Sequence, residues 1–201
     1  MKRIFLILGA IFWMNSFALA GGEAMFGLEW GMSPYEIRNQ GTRLVLKNRV
    51  KNLSIYSVKV LPKNLKDADY YRLVFGNTDQ LVKIIMVGKK IRGDFYGEQG
   101  KNRFAEIAHE LAQKYEEVKS ITEVGIRVYD APNEFYQCLA HSGCGIWVKT
   151  FKADNKVITI QLNGVKAGEG YIDIRVEAYP EWDEITGRKM PVKSVEDAEA
   201  L

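Results

Sequence analysis

An α+β fold is predicted, with two antiparallel β-meanders, each preceded by a helix. Three observations carry that prediction. First, residues 146–179 hold three runs of alternating apolar and polar side chains, Ile146–Phe151, Val157–Leu162 and Tyr171–Tyr179. They are parted by Asp154-Asn155 and by Asn163-Gly164 through Gly168-Glu169-Gly170, which is turn chemistry. In the last run Ile172, Ile174, Val176 and Ala178 fall on one side, and Asp173, Arg175 and Glu177 on the other. That pattern belongs to an antiparallel sheet with one buried and one wet face. Second, residues 53–87 contain three further strand-like runs. Third, an apolar stripe at helical spacing lies between the two sets.

Taken in order, the chain opens on an export signal. Lys2 and Arg3 precede an apolar stretch, Ile4 to Met14, and Phe17-Ala18-Leu19-Ala20 is a small-residue cleavage site. About 11 apolar residues fall short of the ~20 that span a bilayer, so residues 1–20 read as a cleaved signal peptide. No cysteine follows the cleavage site to carry a lipid, and no later stretch is long and apolar enough to cross a membrane. The expected location is the bacterial periplasm or beyond it. One domain is expected over residues 21–180, with possible halves at 26–92 and 100–180.

The first helix starts at Ser33-Pro34-Tyr35-Glu36. Ser33 is the N-cap, Pro34 occupies N1, and Glu36 closes a capping box. Met32 and Ile37 stand where a hydrophobic staple would form, and Gly41 stops the helix. Strands follow at Leu53–Leu61, Tyr70–Phe75 and Leu81–Val87, broken by Pro62-Lys63-Asn64 and by the hairpin-like Gly76-Asn77-Thr78-Asp79. A Gly-rich, charged loop at 93–101 leads to the longest helix, Asn102 to Lys119, whose Phe104, Ile107, Ala108, Leu111, Tyr115 and Val118 share one face. A strand at Gly125–Tyr129 precedes the second meander. From Glu181 to Leu201 the periodicity ends, and a polar, loosely held tail is expected. The order of elements suggests a duplicated α-β-β-β unit.

Cys138 and Cys144 are an even pair in an oxidising compartment, which favours a disulfide. So short a loop is worth about 2–3 kcal/mol in the chain-entropy account. The alternative is a metal site including His141, but structural zinc wants four ligands, and the chain has two histidines. His109-Glu110 begins like a zincin motif, yet Gln113 stands where the second histidine belongs. There is no nucleophile elbow and no phosphate-binding Gly loop. No cofactor or metal is expected and no catalytic residue can be assigned.

Charge is unevenly spread. The chain has 28 basic and 25 acidic residues. With Lys2 and Arg3 gone the net falls from +3 to +1, too little to steer a polyanion globally. Between Ile37 and Lys66, however, eight basic residues (Arg38, Arg43, Lys47, Arg49, Lys51, Lys59, Lys63 and Lys66) meet no acidic one, while residues 181–201 hold six acidic and three basic. The segment reads either as a solvated face balanced by the acidic tail or as a docking surface for an acidic envelope protein or an anionic envelope surface. Nucleic acid is not expected, because no binding module accompanies the charge. Trp147 and Phe151 share one face of their strand and Ile146 and Val148 the other, so the strand is either covered on both sides or presents an aromatic patch to a partner.

The opening Phe26-Gly27-Leu28-Glu29-Trp30-Gly31-Met32-Ser33-Pro34-x-Glu36, followed by a meander, a helix ending near Lys114-Tyr115 and a second meander, resembles uncharacterised small bacterial exported proteins with a Trp-Gly-x-Ser-x-x-Glu opening. It is also similar to the helix-plus-meander units of BamE-type outer-membrane assembly lipoproteins and of β-lactamase-inhibitor proteins. The chain lacks the Leu-Gly-x-Pro and the lipid-bearing cysteine of the BamE-type units. The resemblance implies protein binding rather than catalysis and transfers no functional residue. The expected function is therefore non-catalytic: binding of another envelope macromolecule as an inhibitor, assembly or accessory factor. Arg38, Arg43, Lys47, Arg49, Lys51, Trp147 and Phe151 are the expected contacts. A small envelope hydrolase, and an immunity protein against a periplasm-acting toxin, are the alternatives.

Overall fold

The computed structural model describes residues 22–126 and 128–186. The signal segment and its cleavage site near Ala20 lie outside the described residues, as does the tail from residue 187 onward. The element order is α1 (Pro34–Asn39), β1 (Val45–Val50), β2 (Leu53–Val58), β3 (Ala68–Phe75), β4 (Leu81–Gly88), β5 (Ile91–Arg92), α2 (Glu98–Ala112), β6 (Glu116–Glu123), a 3-10 turn at Pro132–Glu134, α3 (Phe135–Ala140), β7 (Ile146–Ala153), β8 (Lys156–Lys166), β9 (Glu169–Ala178) and α4 (Glu181–Thr186).

Both meanders belong to one antiparallel sheet, in the order β1-β2-β3-β4-β9-β8-β7-β6, with β5 also on β9. The seam is the β4–β9 pair, which runs in register from Lys83 opposite Glu177 to Val87 opposite Asp173. One face of the sheet is apolar. Tyr71, Leu73 and Phe75 of β3, Ile84 and Met86 of β4, Ile158 and Ile160 of β8, and Ile174 and Val176 of β9 are buried there. The alternation expected for β9 is present, with Asp173, Arg175 and Glu177 on the opposite face.

Two layers cover the apolar face. Over the first meander lie α1, through Ile37, and the segment before it, through Ala24, Phe26, Leu28 and Trp30. Lys156 pins that segment: its buried ammonium donates to the carbonyls of Glu23 and Ala24, the latter at 2.8 Å. The Ser33–Glu36 capping box is formed, Ser33 N–H donating to Glu36 Oε2 at 2.7 Å and Glu36 N–H to Ser33 Oγ at 3.3 Å. Over the second meander lie α2, through Phe104, Ile107, Ala108 and Leu111, and α3, through Phe135 and Tyr136.

Sequence and structure part company at six places. β1 and β6 are sheet edges whose residues are almost all exposed, so neither shows the alternation that marks a half-buried strand. α2 ends at Ala112, so Tyr115 and Val118 lie beyond its stripe, Val118 within β6. α2 starts earlier than expected, at Glu98, and holds Gly100 within it, where a Cβ would strike the Tyr136 hydroxyl. No strand forms among the described residues of 125–129; Gly125 and Ile126 belong to the loop after β6, and Ile126 N–H donates to Cys144 O at 3.0 Å. α3 stands where a cysteine loop was expected. Beyond Ala178 the chain is not loose at first, because α4 buries Trp182 against Val74 and Val82.

The expected disulfide joins Cys138 of α3 to Cys144 just before β7. Tyr136 of the same helix donates its hydroxyl to Asp94 Oδ2 at 2.9 Å, and Gly100 N–H donates to that oxygen at 3.0 Å. Burial and the neighbouring carboxylate push the Tyr136 phenol well above its ordinary pKa. α3 can lie this close to the sheet because Gly164 and Gly170 face each other across β8 and β9. A Cβ on Gly164 would strike the Tyr136 carbonyl, and one on Gly170 the Tyr136 ring. Gly164→Ala is therefore expected to cost roughly 1–3 kcal/mol by overpacking. Each kcal/mol lowers Tm by about 2–4 °C in a chain of this length. Thermal unfolding of the variant checks this; an unchanged Tm would show that α3 does not bed on the glycine pair.

Candidate docking surface

The basic segment folds into α1, the β1–β2 hairpin and the turn into β3, at one end of the sheet. β1 pairs with β2 from Val45 opposite Ser57 to Val50 opposite Leu53, and Lys51 turns the chain with φ 51°. A left-handed lysine at a two-residue hairpin is uncommon, since the primed turns that suit strand twist favour Asn and Gly. Among the described residues β1 pairs with β2 alone, and its residues are exposed.

Two adjoining grooves cross this region. One, of about 690 Å³, is lined by Arg43, Val45, Lys47, Lys59 and Val60 among others. The second, of about 570 Å³, lies on the sheet face that α2 and α3 do not cover and is lined by Lys47, Ser57, Lys59, Tyr70, Arg72 and Ile85 among others. Lys47, Ser57 and Lys59 belong to both, so the grooves form one continuous cationic surface. Tyr70 sits among its charges. Lys59 Nζ lies 5.8 Å and Arg72 Cζ 5.5 Å from its ring centroid, and an Arg72 Nη donates to its hydroxyl at 3.1 Å.

Few carboxylates answer these cations. Lys59 meets Asp69 at 3.1 Å and Lys63 meets Glu23 at 3.4 Å, all four exposed, and such pairs contribute about 0–1 kcal/mol. Among the described residues Arg43, Lys47, Arg49 and Lys51 make no ion pair. Arg38 is exposed on α1, with its guanidinium 5.6 Å from the Tyr56 ring centroid. Arg72 and Tyr70 are not among the contacts that the basic run of the sequence points to. The signal for them was present, because β3 alternates and its wet positions are 70 and 72, but only the register of β2 with β3, Ser57 opposite Arg72, brings them beside the basic hairpin.

The aromatic strand does not join this surface. β7 lies six strand spacings from β1 in the sheet order, roughly 29 Å at ~4.8 Å each. Phe151 is 0% exposed and belongs to the core, which corrects its expected role as a contact: α2 covers that face of β7. Trp147 is half-buried on the same face, edge-on to Phe135 at 5.4 Å and to Phe104 at 6.5 Å, with Lys101 Nζ 5.6 Å from its ring. His141 is exposed beside the disulfide, its ring 5.7 Å from that of Tyr129, and exposed His109 meets Gln113 at 3.1 Å. Among the described residues no three His, Cys, Asp or Glu side chains converge in a metal-binding group. No family model matches the chain, and neither does any curated protein or solved structure.

Beyond Arg72 the face opposite α2 and α3 continues as a charged lattice. Arg175 donates to Asp173 Oδ2 and to Gln161 Oε1, each at 2.8 Å. Lys83 meets Glu177 at 2.5 Å beneath the Trp182 ring, whose centroid is 4.4 Å from Nζ. Asp173 is buried, and that burial raises its carboxyl pKa above the ordinary 3.8 although Arg175 opposes the shift. The folded state therefore takes up a proton at a higher pH than the unfolded chain. Stability contributed by this group rises as pH falls from neutral through the raised pKa, and the gain is complete below 3.8. Asp173→Asn keeps an acceptor for Arg175 and removes the buried charge. It is expected to be neutral or stabilising at pH 7 and to remove this part of the pH dependence. Denaturant unfolding at pH 7 and at pH 5 checks it; a variant much weaker than wild type at pH 7 would show that the charge is needed.

Proposed function

We propose that this is a non-catalytic exported protein that docks an acidic segment of another envelope protein on the cationic surface of β1, β2 and β3. The observation that carries the reading is the group Arg43, Lys47, Arg49 and Lys51, exposed and without an ion pair among the described residues, with Lys47 and Arg49 on β1 and Arg43 and Lys51 flanking it, at an edge of the described sheet. An open edge can accept an extended polypeptide through main-chain hydrogen bonds, and the flanking cations select an acidic one. Val45 and Val60 give such a segment an apolar contact between the charges. A binding role is also what the resemblance to inhibitor and assembly proteins suggests.

The test is fluorescence anisotropy of a labelled peptide of alternating Glu and Val, titrated with the purified exported protein. Changing Arg43, Lys47, Arg49 and Lys51 together to Glu is expected to weaken binding by about tenfold or more, and added salt to weaken the wild type. All four are exposed, so the variant should fold. Binding to neither form, or equal binding to both, would overturn the reading. Affinity for phosphatidylglycerol vesicles without affinity for the peptide would overturn the choice of a protein partner in favour of a lipid surface.

A further inference from the structure

We infer that the chain assembles head to tail with copies of itself, the basic edge β1 of one copy pairing with the acidic edge β6 of the next. The inference rests on the reading of β1 as a docking edge and names a partner for it. Three observations carry it.

The first is that both ends of the sheet are open: among the described residues β1 has only β2 beside it and β6 only β7. Their lengths are compatible, six and eight residues, and at ~3.3 Å per residue β1 offers about 20 Å of unpaired backbone. Such edges are templates for strand addition.

The second is strand direction. Every neighbouring pair along the path is antiparallel, and the path has eight strands. With an even number of alternating strands, β1 and β6 run in opposite directions. A copy placed beside the first by translation with the usual sheet twist therefore continues the antiparallel alternation and keeps its helices on the same side.

The third is charge. Residues 43–51 hold Arg43, Lys47, Arg49 and Lys51 and no acid, whereas β6 holds Glu116, Glu117 and Glu123 against Lys119 alone. Glu117 is engaged by Lys149 at 2.8 Å; Glu116 and Glu123 have no ion pair among the described residues. Pairing β1 with β1, or β6 with β6, sets like charges opposite each other. Only the β1–β6 contact is complementary, and it is heterologous, so it propagates or closes a ring instead of stopping at a dimer. Exposed apolar side chains flank the charges on both edges: Val45, Leu46 and Val50 on one, Val118 and Val124 on the other.

The experiment is sedimentation equilibrium of the exported protein at low salt over a wide concentration range. The wild type is expected to gain mass with concentration. Two variants, Lys47→Glu/Arg49→Glu on β1 and Glu116→Lys/Glu123→Lys on β6, alter exposed positions and should fold. Each alone is expected to lose association by at least about tenfold. Mixed, they should associate again, because the unchanged β6 of one meets the unchanged β1 of the other. A wild type that stays monomeric, association that survives both reversals, or a mixture that stays monomeric would each overturn the inference. The β6 variant also separates it from the docking reading, since it should still bind the acidic peptide. A monomeric wild type that binds the peptide through β1 leaves docking intact and removes self-association.

Discussion

The antiparallel pairing of β4 with β9 joins strands whose facing residues Lys83 and Glu177 lie 94 positions apart, and the remaining architecture depends on it. Closing so long a loop has an entropic cost that local contacts cannot return. The compensation comes from what the seam aligns. Ile84 and Met86 of β4 meet Val176 and Ile174 of β9, so two apolar faces become one. Lys83 and Glu177 close the opposite side. Without the seam each meander would be a small sheet with an unpaired hydrophobic-faced edge, a poor structure in water.

Continuity of the sheet explains how its two sides diverge in role. The apolar side has room for α1 with its preceding segment over one half and for α2 and α3 over the other, the latter seated on the bare Gly164–Gly170 pair. Among the described residues the opposite side receives only α4, whose Trp182 packs on Val74 and Val82. Its centre holds partnered charges such as Arg175 with Asp173, whereas at its β1–β3 end Arg43, Lys47, Arg49 and Lys51 make no ion pair among the described residues. This contrast between paired charge in the middle and unpaired charge at one end is what the proposed docking of an acidic segment rests on.

Much of this was legible in the residues. Strands with one buried face announced themselves by alternation, as in Ile172 to Ala178, and α1 by Ser33, Pro34 and Glu36, whose capping geometry is local. The disulfide was expected from an even cysteine count behind what reads as an export signal. Edges were illegible because nothing buries them: Glu116 to Glu123 and Val45 to Val50 carry no periodic apolar pattern, and the charged β6 reads as a continuation of α2. Phe151 and Trp147 could not be assigned to core or surface, since an aromatic on a strand looks the same under a helix or in water. The cationic segment was visible as composition. Its extension to Tyr70 and Arg72 was not, because that depends on the β2–β3 register, which is set by packing across the sheet.

The most direct test of a single sheet built on the β4–β9 seam is residue-resolved amide hydrogen exchange under native conditions. Amides in β4, β8 and β9 should be the slowest to exchange and should share one opening free energy, with β1 and β6 exchanging earlier as frayed edges. Two separate protection classes, one for each meander, with fast exchange along β4 and β9, would contradict the account and describe two independent halves.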